Sequence, residues 1–247
     1  MTRKYHLILP LGVRFSRVGM SDTAPAASDC VDFLSLLEEG KRREVLAGSR
    51  RVTSPAGSTA YLPDAPDYAA IINSGLVRVF IGDEGGRQAT AFYRHRGELL
   101  TVGLVRRPAI NLYVQAVTDA DLTTLDVSLL RMIVARDIEV SRALLINFST
   151  LLAHSTRIIA VRSLGDITVR LAFDLLDRAC SHQLVSGRLV VRASQQQLAD
   201  SIGSVREVVS RSLGKLRDDK IVATAPNVVR VLDVERLEEI ATQFSAN

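Results

Sequence analysis

The stretch from Arg206 to Arg217 carries side chains whose types and spacing could read the edges of DNA bases. An arginine can pair with both the O6 and the N7 atom of guanine, and a glutamate can accept a hydrogen bond from the N4 amino group of cytosine. Arg206, Glu207 and Arg211 therefore form a candidate base-reading set, and Lys215 adds a further cation. The plain alternative is an amphipathic helix with a solvated charged face.

Two short helices joined by a tight turn are predicted to position these side chains. On the second helix, apolar residues recur at steps of three and four, which predicts one buried stripe opposite the charged face. The residues of this stripe are Val205, Val208, Val209, Leu213 and Leu216. A stripe that faces a core directs the charged side chains outward, as in a helix that enters the major groove of DNA.

The turn between the helices has its own chemical signals. Ser194 predicts the N-cap of the first helix, and Gln197 three residues later completes a capping box. The first helix is predicted to end near Ile202, because Gly203 can adopt the left-handed conformation that often closes a helix. Ser204 is predicted to cap the second helix.

The flanking segments predict a winged domain. Two short β-branched runs lie on either side of Ala225-Pro226-Asn227, which favours a hairpin turn, and Asp233 predicts the cap of a last helix. The predicted elements are helices at 167–180 and 234–244 and strands at 189–192, 221–224 and 228–232. Together with the two short helices, they predict a winged helix-turn-helix domain from about Asp166 onward.

These residues resemble the Crp/Fnr family of bacterial transcription regulators. The segment Ser204 to Arg211 is similar to the S/T-R-E-x-V-x-R of the family's recognition helix, and Asp166 to Ala172 is similar to the D-V-T-x-R-I-A that opens its DNA-binding domain. The resemblance implies RNA polymerase as a further partner and a TGTGA-like half-site on double-stranded DNA. The DNA-binding residues that it implies are Arg206, Glu207, Arg211, Ser204, Gln195 and Lys215.

Length and composition fit such a regulator. The chain has 247 residues, 47% of them hydrophobic, which is enough for two cores. The formal charge is +4, but the segment from Asp166 to Asn247 holds eleven basic and eleven acidic residues, so DNA binding must depend on where the charges lie. Uninterrupted apolar runs stay well short of the roughly 18 residues of a membrane span. Leu7 to Val13 is too short for a signal peptide and is followed by Arg14 and Arg17, so a cytoplasmic location is predicted.

A long helix is predicted from about Ile138 to Val161, and at 1.5 Å per residue it would span roughly 36 Å. Alternating steps of four and three residues predict a coiled-coil seam on it. The seam residues are Leu144, Phe148, Leu151, Ser155, Ile158 and Arg162. A twofold dimer built on this seam would present two recognition helices to successive major grooves about 34 Å apart. The alternative is a buried helix within one domain.

The N-terminal half is predicted to form a small jelly roll, because short β-rich runs alternate with Gly, Pro and Asp turns. The predicted strands are 68–72, 76–81, 88–93, 99–105, 113–117 and 122–125, with a short helical entry at 31–47. Gly75 to Val79 and Asp83 to Arg87 resemble the family's K-G-x-V-x-V turn and D-E-x-G-R/K hairpin. The resemblance implies a cyclic-nucleotide-binding β-barrel and an α+β fold overall.

The nucleotide pocket is where the chain departs from the family. In nucleotide-binding members a G-E-L-x-L cassette is followed about ten residues later by R-S/T-A, whose arginine neutralises the cyclic phosphate. Gly97-Glu98-Leu99 looks like that cassette out of place and aligns better with the preceding turn. The arginine and serine positions fall on Ile110 and Asn111, and an isoleucine cannot neutralise a phosphate.

A reshaped pocket for a cyclic nucleotide stays open as an alternative. Arg106 and Arg107 lie near the missing arginine, and Ser155 and Thr156 fall where the family places hydroxyl groups that contact the adenine. The candidate pocket residues are Arg106, Arg107, Asn111, Ser155 and Thr156.

Other site chemistries find little support. An iron–sulfur cluster needs about four cysteines, and the chain has two, Cys30 and Cys180. Both are predicted to be reduced structural residues, with a redox role for Cys30 as an alternative. Haem ligation by His95 or His154 is a further alternative. The sequence holds no recognisable HExxH, P-loop, nucleophile elbow or catalytic carboxylate pair, so no enzyme, metal or cofactor is predicted.

The chain is therefore predicted to comprise an N-terminal extension (1–29), a sensor barrel (30–137), a dimerisation helix and hinge (138–163) and a winged helix-turn-helix domain (164–247). The leading hypothesis is a homodimeric DNA-binding transcription regulator that is not controlled by cyclic AMP in the usual way. The alternative is a nucleotide-binding sensor or adaptor whose winged domain contacts proteins. An enzyme with a fused regulatory barrel is disfavoured because no catalytic domain remains.

Overall fold

The computed structural model describes residues 31–82, 88–105, 110–179 and 189–243. It combines a two-sheet β-domain, a long helix and a C-terminal helical domain with a small sheet, so the predicted α+β fold class is confirmed. Several predicted features lie outside the described residues. They are the N-terminal extension, Cys30, Cys180, the Asp83–Arg87 hairpin, Arg106 and Arg107.

The β-domain is a jelly roll of two antiparallel four-stranded sheets. Its strands are β1 (Arg50–Ser54), β2 (Thr59–Tyr61), β3 (Tyr68–Ser74), β4 (Val77–Gly82), β5 (Gln88–Arg94), β6 (Leu99–Val102), β7 (Leu112–Ala116) and β8 (Ala120–Thr124). One sheet has the order β1-β8-β3-β6 and the other β2-β7-β4-β5. Strands β3 to β8 correspond to the six predicted runs, and β1 and β2 are additional.

Strand β3 shows why the predicted run 68–72 is apolar at successive positions instead of alternating. Ala70 and Ile72 point into the barrel interior, whereas Ala69 and Ile71 pack on the other face of the sheet, in the core shared with the helices. A strand that is buried on both faces needs apolar residues throughout. The sheet thereby separates two cores, one inside the barrel and one between the barrel and the helices.

Helices precede and follow the barrel. A 3-10 turn (Leu34–Leu36) and α1 (Glu39–Val45) lie within the predicted entry segment. After the barrel come α2 (Val127–Arg136), which was not predicted, and α3 (Ile138–Leu164). Asp137 separates them, because its carboxylate accepts hydrogen bonds from the backbone N–H groups of residues 139 and 140 and so begins α3.

The coiled-coil seam predicted on α3 is wrong in its register. Leu144 and Ile158 are buried within their own chain, at 4% and 7% exposure. Four of the five large apolar side chains that α3 exposes form a seven-residue repeat on another face, at Ile138, Leu145, Leu152 and Ile159, which are 88%, 66%, 68% and 64% exposed. The fifth is Leu164, the last residue of the helix, which is 71% exposed. The spacing could not distinguish these faces, because steps of three and four describe any stripe along a helix.

By length and composition alone, the helix α3 is apolar enough to cross a membrane. The sequence analysis had considered only uninterrupted apolar runs, and α3 is interrupted by polar residues. Part of this helix is buried in the fold. Val140, Ala143 and Leu144 belong to the core shared with the barrel. The core helix of a globular protein passes the same test of length and composition.

The C-terminal part has seven elements around one core. They are α4 (Ile167–Ala179), β9 (Val190–Arg192), α5 (Gln195–Ile202), α6 (Arg206–Asp218), β10 (Val222–Ala225), β11 (Val228–Val231) and α7 (Val234–Thr242). The strands form an antiparallel sheet in the order β10-β11-β9. Ala225 pairs with Val228, so the predicted hairpin turn is confirmed, with Asn227 at a φ of 56°. The core includes Leu171, Leu175, Leu198 and Leu237, each fully buried.

Candidate nucleic-acid interface

The turn that joins α5 to α6 is built largely as the sequence indicates. The Ser194 hydroxyl accepts a hydrogen bond from the backbone N–H of Gln197 at 3.1 Å, and the Gln197 side chain accepts one from the backbone N–H of Ser194 at 2.8 Å. This reciprocal pair confirms the capping box. Gly203 ends α5 at a φ of 67° and ψ of 47°, which confirms the left-handed residue.

The predicted cap on the second helix is wrong by one residue. The N-cap of α6 is Val205, which makes no side-chain cap hydrogen bond and is 56% exposed. Ser204 lies one position earlier, where its backbone N–H donates to the Ala199 carbonyl at 2.9 Å and completes the end of α5. Val205 is therefore not part of the buried stripe either. Ser204, which local propensity predicts as the cap of α6, therefore helps to close α5 instead.

Helix α6 has one buried and one exposed face. Val209, Leu213 and Leu216 are at most 3% exposed and pack in the C-terminal core. The predicted DNA-binding residues Arg206, Glu207, Arg211 and Lys215 are all exposed on the opposite side. Since the backbone N–H groups at a helix N-terminus also favour negative charge, Arg206 at the first position of α6 lies where a phosphate or base edge would approach.

The structure brings residues of the helix-turn-helix and the wing to one groove. Ser194, Gln195 and Gln196 at the start of α5 line one side of it, Arg206 lies at the start of α6, and the wing turn 224–228 lines the other side. Gln195 and Arg206, which the sequence analysis placed together as DNA-binding residues, therefore border the same groove. Ser204, by contrast, is not among the residues that line it.

Ser194 gives a direct test of how this groove is held. Replacing Ser194 by alanine removes the hydroxyl that accepts from Gln197, and loss of an N-cap typically costs about 1 kcal/mol. We therefore expect Ser194→Ala to lower the free energy of unfolding by about 1 kcal/mol, measured by urea denaturation of the full chain. Ser210→Ala is the matched control, because Ser210 is an exposed residue within α6 and not a cap. Equal losses in the two variants would contradict a capping role.

The residues expected around a nucleotide are not joined to each other by hydrogen bonds where the structure describes them. Ile110 and Asn111 are exposed just before β7. On α3, Ser155 is half-buried and the exposed Thr156 donates its hydroxyl hydrogen to the Leu152 carbonyl at 2.8 Å, within the helix. Glu98 is engaged elsewhere: it is buried, accepts from Arg94 at 3.0 Å and from the backbone N–H of His95 at 2.7 Å. Its carboxylate closes the turn at Gly97.

A polar interface between the barrel and the C-terminal part was not predicted. Tyr93 on β5 donates its hydroxyl hydrogen to Asp174 on α4 at 3.2 Å, and Asp174 also accepts from Arg178 at 2.7 Å. Burial, with the nearby Asp174 carboxylate, raises the pKa of Tyr93, so this hydroxyl stays protonated. Arg162 near the end of α3 donates to the carbonyl oxygens of Thr90 and Ser201, which ties the long helix to both parts.

Beside it lies a cluster that we call the His–Asp–His bridge. Asp177 on α4 has its two carboxylate oxygens 3.4 Å from the Nε2 atoms of His95, after β5, and His154, on α3. Burial alone would lower the pKa of His154, but the nearby Asp177 carboxylate outweighs it, so that pKa is raised. Burial would raise the pKa of Asp177, but the two imidazoles outweigh it and that pKa lies far below its usual value.

Both histidines are engaged with the Asp177 carboxylate in the described residues. No group of three or more His, Cys, Asp or Glu side chains there has the geometry to hold a metal ion. His154 also stacks at a tilt on Phe173, with ring centroids 6.0 Å apart. Sequence reasoning had singled out both histidines only as haem ligands. One signal in the sequence could have indicated their partner, because Asp177 places a carboxylate on the buried face of the predicted helix 167–180.

Comparison with known proteins places these features in a family context. A family model described as the Crp-like helix-turn-helix domain matches residues 169–240. The transcriptional regulator SdrP of Thermus thermophilus is 28% identical over 197 residues, which cover 77% of this chain and 93% of SdrP. A solved structure of a Crp/Fnr-family transcriptional regulator from Thermus thermophilus is similar, with a TM-score of 0.64 at 27% identity, over 78% of this chain and 98% of that one. FixK2 from Bradyrhizobium japonicum shares the fold, with a TM-score of 0.67 at 20% identity over 78% and 96% of the two chains.

Proposed function

We propose that this chain, a transcriptional regulator of the Crp/Fnr family with a helix-turn-helix DNA-binding domain, binds a near-palindromic TGTGA-like site on double-stranded DNA as a homodimer. The observation that carries the proposal is the division of α6 into a buried apolar face and an exposed face with Arg206, Glu207 and Arg211. The proposal assigns these three residues to base edges and Lys215, Gln195 and Ser204 to supporting contacts along the DNA.

The base assignments follow from the chemistry of the major groove. An arginine that reaches guanine O6 and N7 discriminates against other bases, and a glutamate that accepts from cytosine N4 does the same for the paired strand. Arg206 and Glu207 lie in the first turn of α6, which is the part of a recognition helix that meets the bases. Arg211 lies five residues beyond Arg206 on the exposed face. Three readers at this spacing fit one short half-site.

The dimer is supported by the exposed repeat on α3. Ile138, Leu145, Leu152 and Ile159 leave a row of large apolar side chains in water, and a second copy of α3 would cover it. A seven-residue repeat is the pattern of two helices that wrap around each other. The predicted dimer is therefore retained, with its contact on this repeat instead of the seam first expected.

Control by cyclic AMP in the usual way is not part of the proposal. The position that would hold a phosphate-binding arginine is Ile110, and Glu98 is paired with Arg94. Inside the barrel, buried apolar side chains from both sheets form one core in the described residues, including Ile72, Val79 and Val114. We therefore expect titration of the full chain with cyclic AMP at micromolar concentrations to produce no binding heat and no change in DNA affinity. Saturable binding with a change in DNA affinity would overturn this part of the proposal.

The experiment that tests the function is selection of bound sequences from random duplex DNA, with and without cyclic AMP. The salt concentration must be stated, because affinity for DNA falls steeply with ionic strength. Recovery of two TGTGA-like half-sites in inverted orientation supports the proposal, and recovery of no enriched sequence contradicts it. The proposal also places the protein in the cytoplasm, with RNA polymerase as a partner at its promoters.

A further inference from the structure

The His–Asp–His bridge joins three parts of the chain that must move relative to one another if the DNA-binding domain is to change its orientation. His95 belongs to the barrel, His154 to the long helix and Asp177 to α4, the first helix of the DNA-binding domain. The chain passes from α3 to α4 through residues 165 and 166 alone. Any rotation of the domain at this joint carries the Asp177 carboxylate away from both imidazoles.

The carboxylate at the centre of the bridge cannot be left without a partner. The Asp177 side chain is 8% exposed, and that of His95 is 6% exposed. A buried carboxylate loses its hydration and requires compensation by hydrogen bonds or a positive charge. Each N–O distance of 3.4 Å lies within the 4 Å limit of an ion pair, so a positive charge on the imidazoles would face the carboxylate directly. One proton added to the imidazole pair supplies the charge.

The other charged groups of the barrel and α4 near the bridge form ion pairs with residues other than Asp177. On the barrel side, Arg94 pairs with Glu98 at 3.0 Å. On α4, Arg178 pairs with Asp174 at 2.7 Å, and its guanidinium also lies 5.0 Å from the ring centroid of Tyr93. Tyr93 itself remains a neutral donor to Asp174.

Three further arginines near the bridge interact with neutral groups. Arg157 on α3 lies over the Phe173 ring at 5.3 Å, and Arg162 donates to backbone carbonyl oxygens. Arg170 donates to the Gly165 carbonyl at 3.0 Å, at the joint itself. The described close partners of Asp177 are therefore the two imidazoles, and imidazole is the side chain that ordinarily changes charge near neutral pH.

We propose that the His–Asp–His bridge is a proton-operated latch, in which the protonated bridge holds the DNA-binding domain against the barrel and the long helix, and loss of the proton releases it. This inference goes beyond DNA recognition and concerns the free protein. A proton acts here as an effector does, through its different affinity for the docked and undocked arrangements.

The direction of the pH effect follows from His154. Its pKa is raised in the docked state, so docking gains stability that is fully present below the ordinary histidine pKa of about 6.5 and is lost as the pH rises through the raised value. The pKa of Asp177 is depressed far below neutrality, so this carboxylate stays ionised throughout and contributes no change above about pH 6. Each unit by which docking raises the His154 pKa corresponds to about a tenfold change in the docking equilibrium.

Hydrogen exchange of the full chain between about pH 6 and pH 9, without DNA, tests the latch. The amides of β5 and α5 report docking, because these elements pack against each other. After correction for intrinsic exchange, we expect their protection in the wild type to fall as the pH rises across this range, about tenfold for each unit by which docking raises the His154 pKa. His154→Gln should remove the pH dependence, because glutamine keeps a polar side chain but does not titrate. Tyr93→Phe is the matched control, which should lower protection equally at every pH, since Tyr93 stays neutral.

Two results would overturn the latch. One is a wild type whose corrected protection does not change across that pH range, which decides the matter even if His154→Gln fails to fold. The other is an unchanged pH dependence in a folded His154→Gln. Because no DNA is present, either result leaves the proposed recognition of DNA untouched. A titration of the His154 ring followed by NMR supplies the second measurement, with the expected midpoint above about 6.5.

Discussion

Leu152→Asp is expected to convert the proposed dimer into a monomer at micromolar concentration. Leu152 lies at the middle of the exposed repeat on α3, with Leu145 and Ile159 one heptad away on either side. In a twofold dimer the two substituted residues would meet, so the change removes apolar contact and buries two like charges. Sedimentation of the purified variant measures the result directly.

The loss of the dimer should also be the largest effect on DNA binding. A dimer gains from holding its second recognition helix beside the second half-site, which commonly multiplies affinity by about 10² to 10⁴. We expect Leu152→Asp to lose an enhancement of that order on a site with two half-sites, and to bind a single half-site as the wild-type protomer does. A gel-shift titration with both DNAs separates the two quantities.

Ala153→Asp is the matched control for this experiment. Ala153 is exposed on the same helix, but it is turned about 100° around the helix axis from Leu152. It adds the same charge without placing it at the centre of the repeat, so the dimer should persist. A Leu152→Asp protein that remains dimeric would show that the exposed repeat is not the contact between protomers.

Arg206→Ala is expected to weaken binding to the selected site by about 1 to 3 kcal/mol, or about 5- to 150-fold, while binding to random DNA changes little. Arg206 is exposed at the first position of α6 and borders the groove between α5 and the wing. Loss of a bidentate pair with guanine removes discrimination at one base pair. Fluorescence anisotropy with the selected and a scrambled duplex, at one salt concentration, gives both affinities.

Arg217→Ala supplies the control of equal charge. Arg217 is exposed in the last turn of the same helix, next to Asp218 at 3.6 Å, and therefore lies far from the end that meets the bases. Its loss should reduce binding to both duplexes by a similar small factor. If Arg206→Ala behaves in the same way, Arg206 contacts the DNA backbone and does not read a base.

The parts of the fold that sequence predicts well are those decided by neighbours along the chain. The capping box at Ser194 and the left-handed Gly203 depend on a few adjacent residues, and both are confirmed. The cap assigned to Ser204 is wrong because Ser204 is used to close α5, which depends on how the turn packs. The seam on α3 is wrong because residue spacing shows that an apolar stripe exists but not which surface covers it.

The His–Asp–His bridge shows a different limit. His95, His154 and Asp177 come from three separate elements, and each residue alone has an ordinary explanation. Only the packing of α4 against the barrel and α3 brings them together, and no local pattern encodes that packing. The base-reading residues were easier to propose, because they lie within one helix and carry their spacing in the sequence.

The docking of the DNA-binding domain has a consequence for the colloidal behaviour of the protein. Strand β5 lies at one edge of its sheet, and α5 packs against it in the docked arrangement. An uncovered strand edge offers free N–H and C=O groups to another chain and is a common start of aggregation. Release of the proposed latch would therefore leave the edge at β5 without its contact to α5. We therefore expect the aggregation rate of the purified protein to rise as the proposed docking equilibrium shifts toward the undocked state.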